Sequence, residues 1–117
     1  MKIPFLTRPA RVAVLRLQGA IGAAGRGGAG LSDAALAPLL ERAFTRKKPL
    51  AVALAINSPG GSPVQSSLIG ARIRRLSQEH DVPVHAFVED VAASGGYWLA
   101  SAADYIWADD SSVLGSI

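Results

Sequence analysis

Four runs of apolar residues punctuate the chain, and none of them alternates between apolar and polar positions. They cover residues 12–17, 50–56, 82–88 and 105–108. Short, continuous apolar runs are typical of strands that are covered on both faces, as in a parallel sheet. The pattern therefore predicts four strands, of which residues 12–17 are expected to be buried and residues 50–56 to be covered on both faces.

Segments with helical spacing separate these runs. In the first segment, Ser32 and Asp33 are typical N-cap residues, and Pro38 is expected either to kink the helix or to delay its start. Residues 46–48, Arg-Lys-Lys, place cations at the C-terminal end, and Pro49 stops the helix. We interpret these cations as a solvated face that compensates the helix dipole, not as a binding patch.

The second helix has a stronger start signal. Ser62 is a suitable N-cap, Pro63 occupies the first helical position, and Gln65 completes a capping box. A third, short helix is predicted over residues 95–103. The order β-α-β-α-β-α-β, with crossovers long enough for parallel neighbours, predicts an α/β fold with a mainly parallel sheet.

The composition fits one globular domain. Half of the 117 residues are hydrophobic and 18% are charged, and the absence of cysteine excludes a disulfide framework and a thiolate metal site. The net charge of +3 is spread without a dense basic stripe, so no nucleic-acid partner is predicted. No metal site and no cofactor are predicted. No apolar run approaches the ~20 residues that a membrane-spanning helix requires.

Two segments are expected to lie outside the packed core. Residues 1–10 are predicted to form an N-terminal tail, in which Phe5, Leu6 and the flanking basic residues could make peripheral contact with a membrane surface. Residues 19–30 are rich in glycine but have no clean G-x-G-x-x-G and no ribose-binding acid after the next strand. We therefore predict a mobile loop there and not a dinucleotide-binding loop.

Two loops at strand ends carry the candidate chemistry. Ser94 stands between two alanines and two glycines and opens the third helix, so its hydroxyl is expected to project from a tight turn. The N–H of Gly95 is an unpaired donor of the first helical turn. Gly60 and Gly61 precede the second helix, and glycine lets a substrate carbonyl approach the backbone closely. Because the carboxyl ends of parallel strands meet at one edge, the two loops predict a serine hydrolase centre.

Three motifs, in this order, resemble the signal peptide peptidase A family, which includes protease IV and SohB-like peptidases. They are NSPGG at residues 57–61, AASGGYWLA at residues 92–100 and GSI at residues 115–117. The resemblance covers residues 11–117 and implies the ClpP/crotonase fold of stacked β-α-β units. It identifies this segment as the N-terminal part of a serine peptidase domain, truncated at its C-terminal end.

The same resemblance implies an activity. Its members are serine endopeptidases that cleave peptides and signal-peptide remnants, often as homo-oligomers in the bacterial cytoplasm or at the cytoplasmic membrane. By the resemblance Ser94 is the nucleophile, and the amides of Gly61 and Gly95 form the oxyanion hole. From the residues alone, Gly61 is the better second donor and Gly60 the next candidate.

The general base is not assigned. The family uses a neutral lysine after the serine, whereas Lys2, Lys47 and Lys48 all precede Ser94. The other titratable candidates are His80, His85, Asp104, Asp109 and Asp110. A structural role explains each of them better than a catalytic one: His80 ends a helix, His85 lies in a strand, and the three aspartates are turn or cap residues. We therefore expect the lysine beyond Ile117, and no peptidase activity from residues 1–117 alone.

Two other functions stay open. A crotonase-like acyl-CoA enzyme would share the fold and an oxyanion hole of two backbone amides, although Ser94 with its two following glycines argues against it. A catalytically incomplete module would oligomerise, or bind a peptide as an added strand.

Overall fold

The computed structural model describes residues 9–22 and 30–116, and these residues form five strands and three helices. In chain order the elements are β1 (Val12–Gln18), α1 (Asp33–Thr45), β2 (Ala51–Ser58), α2 (Pro63–His80), β3 (Val84–Ala93), α3 (Gly95–Ser101), β4 (Tyr105–Ala108) and β5 (Val113–Gly115). The predicted α/β class is confirmed. Residues 1–8 and 23–29, which carry most of the predicted tail and of the glycine-rich loop, lie outside the described residues.

Every strand pairing is parallel. The sheet order is β1-β2-β3-β4, and β5 also pairs with β3. β4 lies beside residues 85–88 of β3, and β5 lies beside residues 91–93, so the two short strands follow one another along the same edge. β5 was not predicted, because three residues are too few to show a hydrophobic period.

The helices share one face of this sheet. Successive right-handed crossovers that step in one direction place their helices on the same side, and α2 contacts both α1 and α3. The core lies between this helical layer and the sheet. Its largest fully buried side chains are Phe44, Leu17, Leu40, Leu54, Ile56, Ile69, Ile73, Leu76 and Leu99.

The prediction of a buried strand at residues 12–17 is wrong, because alternate residues of β1 are exposed, whereas β2, predicted to be covered on both faces, is buried or half-buried along its whole length. On the face without helices, Val12 and Val14 of β1, Phe87 of β3 and Trp107 of β4 are exposed, Val14 by 70%. The sequence pattern missed this because the exposed positions are apolar. His85, Phe87 and Trp107 instead stack on one another across β3 and β4.

The helix starts follow the predicted caps with one exception. Ser32 Oγ accepts from Ala35 N at 3.1 Å, Ser62 Oγ accepts from Gln65 N at 3.1 Å, and α1 continues through Pro38 instead of starting after it. The capping box is wrong: the amide oxygen of Gln65 accepts from Asp33 N at 2.8 Å. Gln65 thus joins α2 to the start of α1 instead of closing its own helix.

An ion pair strengthens this junction. The guanidinium of Arg72 donates to both carboxylate oxygens of Asp33, at 2.7 and 3.0 Å. These hydrogen bonds hold the pKa of Asp33 below its ordinary value of 3.8 and raise the pKa of Arg72. The two helices are therefore tied together beside the loop that follows β2.

Candidate functional site

Ser94 occupies the turn between β3 and α3. Its backbone has φ 53° and ψ −120°, a combination that L-residues rarely adopt. Such a strained strand-to-helix turn presents the side chain at the edge of the sheet, as in the nucleophile elbow of α/β-hydrolases. The Ser94 side chain is exposed and makes no capping hydrogen bond to α3. The sequence prediction that its hydroxyl projects from a tight turn fits this geometry.

The backbone of Ser94 is held on both sides. Its N–H donates to the carbonyl of Gly115 in β5 at 2.7 Å, and its carbonyl accepts from Tyr97 N at 3.0 Å and Trp98 N at 3.1 Å. These bonds stabilise the strained conformation without using the hydroxyl. The GSI motif thus has a structural part in the site, which the sequence did not reveal.

The loop after β2 meets this turn. A Cβ added to Gly60 would lie 2.7 Å from Ser94 Cβ and 2.9 Å from Gly95 N, closer than real Cβ contacts. Gly60 also has φ +104°, so both the backbone conformation and the space require glycine. The structure therefore brings the two predicted loops into direct contact.

The two glycines of this loop differ in their N–H groups. The Gly60 N–H donates to the buried Ser58 Oγ at 3.2 Å. The flanking groups of Gly61 are also paired, since Ile21 N donates to Gly60 O at 2.9 Å and Ser62 N donates to Ile21 O at 2.8 Å. Among the described residues, the N–H groups of Gly61 and Gly95 have no acceptor. These two amides are the donors that a ligand can use.

Ile21 is a residue of the site that sequence reasoning missed. Its backbone brackets Gly61 through the two bonds above, and its side chain lies under Gly95, where an added Cβ would be 3.1 Å from Ile21 Cδ1. It is 4% exposed. The sequence signal for this role was an isolated isoleucine in a glycine-rich stretch. It was missed because the whole stretch was predicted to be a mobile loop.

Two buried serines fill the space behind the loops. Ser66 Oγ donates to Ser62 O at 2.8 Å and lies against Gly95, while the carbonyl of Ser58 lies against Gly96. A Cβ on either glycine would collide with these atoms. The two glycines after Ser94 are thus required for close packing of α3 on the loop after β2.

A cleft of about 370 Å³ opens beside Ser94. Its walls are mainly apolar, and its lining residues are Gly61, Pro63, Ser94, Gly95, Tyr97, Trp98 and Ser101. An apolar cleft with a few polar groups at one end is the usual form of a ligand site. The nucleophile candidate and both unpaired amides line this one cleft.

The histidine and lysine candidates among the described residues lie at the other end of the sheet. His85 is nine residues before Ser94 in the β3 direction, which corresponds to about 30 Å of strand, and its Nδ1 accepts from the Trp107 indole at 3.0 Å. His80 ends α2, and the exposed Lys47 and Lys48 follow α1. Lys2 lies outside the described residues. In the part of the chain that the structure describes, none of these candidates lies beside Ser94.

Comparison with known proteins finds a peptidase family and several of its relatives. The pattern of the family described as Peptidase family S49 matches residues 77–117, which include Ser94 and β5. Protease 4 of Haemophilus influenzae is 39% identical over 111 residues, which are 93% of this chain and 18% of that protein. Residues 77–117 thus carry the S49 family pattern, and the similarity to protease 4 extends over most of the chain. The resemblance to the signal peptide peptidase A group is thereby confirmed.

A second relative carries a different name. The Na(+)/H(+) antiporter NhaA of Brucella melitensis is 56% identical over 107 residues, which are 91% of this chain and 14% of that protein. The match covers only a small share of the antiporter, as it does of protease 4, so it shows similarity to one segment of each protein. Within the described residues, no helix combines the length and the apolar character needed to cross a membrane.

A solved structure supports the fold. A serine-to-alanine mutant of the 1510-N membrane-bound stomatin-specific protease matches with a TM-score of 0.69 at 18% identity, covering 92% of this chain and 48% of that one. The chain thus spans less than a fifth of the two curated relatives and about half of the solved one.

Proposed function

We propose that this chain is part of an S49 peptidase and supplies the nucleophile and the oxyanion hole of a serine endopeptidase of the signal peptide peptidase type. The observation that carries the proposal is the exposed, strained Ser94 beside the unpaired amides of Gly61 and Gly95 in one cleft. An acyl-CoA enzyme needs the two amides but not an exposed serine between them.

In this mechanism, Ser94 Oγ attacks the carbonyl carbon of the scissile peptide bond, and a general base takes the hydroxyl proton. The negative charge that develops on the carbonyl oxygen is stabilised by hydrogen bonds from Gly61 N–H and Gly95 N–H. The base then delivers the proton to the leaving amine, and water hydrolyses the resulting ester of Ser94. Gly60 is less suited as a donor because its N–H already bonds to Ser58 Oγ.

The base in this proposal is a lysine outside the described residues, as the family resemblance implies. A lysine accepts a proton only in its neutral form, and burial lowers its pKa toward that form. The exposed Lys47 and Lys48 have no such burial. The catalytic lysine therefore belongs to a segment, or to a neighbouring subunit, that packs over Ser94.

Peptides with apolar side chains are the proposed substrates. Pro63, Tyr97 and Trp98 give the cleft an apolar wall, which suits a side chain next to the scissile bond. Signal-peptide remnants are rich in such side chains. Homo-oligomerisation is also proposed from the family resemblance, and peripheral membrane contact from Phe5, Leu6 and the basic residues that flank them.

Labelling with a serine-directed phosphonate tests the nucleophile. In the protein expressed from its complete gene, we expect covalent labelling at Ser94, and Ser94→Ala is expected to abolish both labelling and peptide hydrolysis, by about four to six orders of magnitude in kcat. Ser101→Ala is the matched control, since Ser101 is an exposed serine in the same cleft. Labelling that persists in Ser94→Ala would remove Ser94 from this role.

A further inference from the structure

The outer edge of β1 carries unpaired backbone groups among the described residues, since β1 is the first strand in the sheet order. Arg11 O accepts from Leu50 N at 2.8 Å, and Gly19 N donates to Asn57 O at 2.9 Å, so the odd-numbered residues of β1 point their backbone groups at β2. Backbone direction alternates along a strand. Val12, Val14 and Arg16 therefore direct their N–H and C=O groups outward.

A groove runs between this edge and the C-terminal half of α1, and we call it the β1 groove. It comprises a cleft of about 480 Å³ and an adjoining one of about 540 Å³, which share Arg11 and Lys47. Leu39 of α1 and the β1 side chains on the helical face, Ala13 and Leu15, supply apolar surface, and Leu39 is exposed. An open strand edge and an apolar floor thus lie side by side.

The charges of the β1 groove all have one sign. Its cations are Arg11, Arg42, Arg46, Lys47 and Lys48, and none of the chain's nine acidic residues lines it. Among the described residues, none of these five cations forms an ion pair. Glu41 of α1 acts instead on Arg72 of α2, whose pKa is raised chiefly by Asp33 and in smaller part by Glu41.

Compensation of the helix dipole does not account for this arrangement. That effect falls off within the last turn of a helix, whereas Arg11 belongs to the segment before β1. Lys47 and Lys48 adopt φ 56° and 46°, a region where glycine is the usual residue. Two lysines are thus kept at positions where their backbone conformation is unfavourable, and both line the groove.

We propose that the β1 groove binds an extended acidic peptide segment of a partner protein, which adds to β1 as a further strand. The outward backbone groups of β1 would pair with the segment, and its carboxylates would pair with the five cations. The groove lies toward the amino ends of the strands, whereas Ser94 and Gly61 follow carboxyl ends. Binding there is therefore separate from the candidate active site.

The test uses fluorescence anisotropy with the protein expressed from its complete gene. The probe is a short labelled peptide of alternating valine and glutamate. We expect it to bind, and a valine–lysine peptide not to bind. Two further versions of the valine–glutamate peptide carry N-methyl groups on every second residue, one on the odd and one on the even positions. Both keep the charge, but each has one strand edge that can no longer donate hydrogen bonds to β1. We expect the version that blocks pairing to bind about tenfold more weakly or worse.

Protein variants locate the binding. The double variant Arg42→Glu/Arg46→Glu is expected to weaken binding at least about tenfold, while Arg75→Glu on the exposed face of α2 makes the same type of charge change and is expected to leave it unchanged. Val14→Pro removes an outward N–H that β2 does not use, and is expected to weaken binding as well. Phosphonate labelling of Ser94 should persist in all three variants.

Three results would overturn the proposal. One is that the probe does not bind, and another is that both N-methylated peptides bind as well as the parent. The third is that an oligothymidylate or phosphatidylserine vesicles bind the groove more tightly than the peptide, with the same loss in Arg42→Glu/Arg46→Glu. Since binding is measured without turnover, each result stands whether or not Ser94 is labelled.

Discussion

The loops after β2 and after β3 occupy equivalent positions in consecutive β-α units, but they contribute different parts of a peptide chain. After β3 the candidate group is a side chain, that of Ser94, presented by a strained backbone. After β2 it is a bare amide, that of Gly61, in a loop with no room for a Cβ. Position 94 is constrained because its side chain must project into the cleft. Position 61 is constrained because there is no space for a side chain.

The loops also differ in what supports them. Ser94 is held by one carbonyl of β5, that of Gly115. Gly61 is bracketed by both backbone groups of Ile21, and the helix that follows it is tied to α1 through Gln65 and the Asp33–Arg72 ion pair. A backbone donor has no side chain to adjust its position, so its placement depends on these neighbouring segments.

Among the variants that keep Ser94, substitution of Gly61 by alanine should have the largest effect. The added Cβ would collide with the carbonyl oxygen of Ile21, which is backbone and cannot rotate away. If Gly61 is an oxyanion donor, its displacement should lower kcat by about 100- to 1,000-fold. Steady-state peptide hydrolysis, normalised by phosphonate titration of Ser94, measures this loss.

Gly19→Ala is the matched control for that variant. Gly19 also has a positive φ, +100°, but an added Cβ would meet nothing within 4 Å. It should therefore lose stability through backbone strain and keep kcat per labelled serine. Equal kcat losses in the two variants would show that strain, not the Gly61 amide, limits the reaction.

Ile21→Val should have a smaller effect on the same donors. It removes Cδ1, the atom that lies under Gly95, while leaving the backbone that brackets Gly61. We expect kcat to fall about tenfold with little change in KM, because oxyanion contacts act in the transition state. Amide ¹H–¹⁵N spectra should show the Gly95 and Gly61 signals moving together.

Ile73→Val is the control for this change. Ile73 is fully buried in α2 and loses the same methyl group, so it should cost similar stability, about 1 kcal/mol. Its kcat per labelled serine should match that of the wild type. A kcat loss in Ile73→Val as large as that in Ile21→Val would mean that general loosening of the core is the cause.

The sequence predicted those features of the site that follow from the order of strands and helices and from the type of residue at each turn. Ser94, Gly61 and Gly95 were placed at strand ends because the apolar runs marked the strands and the glycines marked the turns. Gly115 and the bonds from Ile21 to the loop after β2 were missed because they involve backbone groups, which any residue possesses. The open face of the sheet was missed because its exposed residues are as apolar as the buried ones.

The strain at Ser94 predicts a stability difference between two inactive variants. At φ 53° and ψ −120°, alanine keeps the strain whereas glycine relieves it. Ser94→Gly should therefore unfold at a higher urea concentration than Ser94→Ala, by a free energy of about 1 kcal/mol. Ser101→Gly against Ser101→Ala, within α3, should show the opposite order, since glycine disfavours helices. The same order at both positions would argue that Ser94 is unstrained.

The ion pair that supports the loop after β2 should have the smallest effect, and its contribution to the free energy of unfolding should depend on pH. Arg72 holds the pKa of Asp33 below 3.8, so the pair stabilises the fold above that pH and loses its contribution as the pH falls through the lowered pKa. Asp33→Asn should thus cost about 1 kcal/mol at neutral pH, and the cost should shrink below about pH 4.

Glu79→Gln is the control variant. Glu79 forms an exposed pair with Arg75 at 3.8 Å, so this change should alter stability by less than about 0.5 kcal/mol at either pH. Urea unfolding of both variants across this range measures the difference. If Asp33→Asn loses the same free energy at neutral and acid pH, its cost does not come from the ion pair with Arg72, and this pair is not what supports the loop after β2.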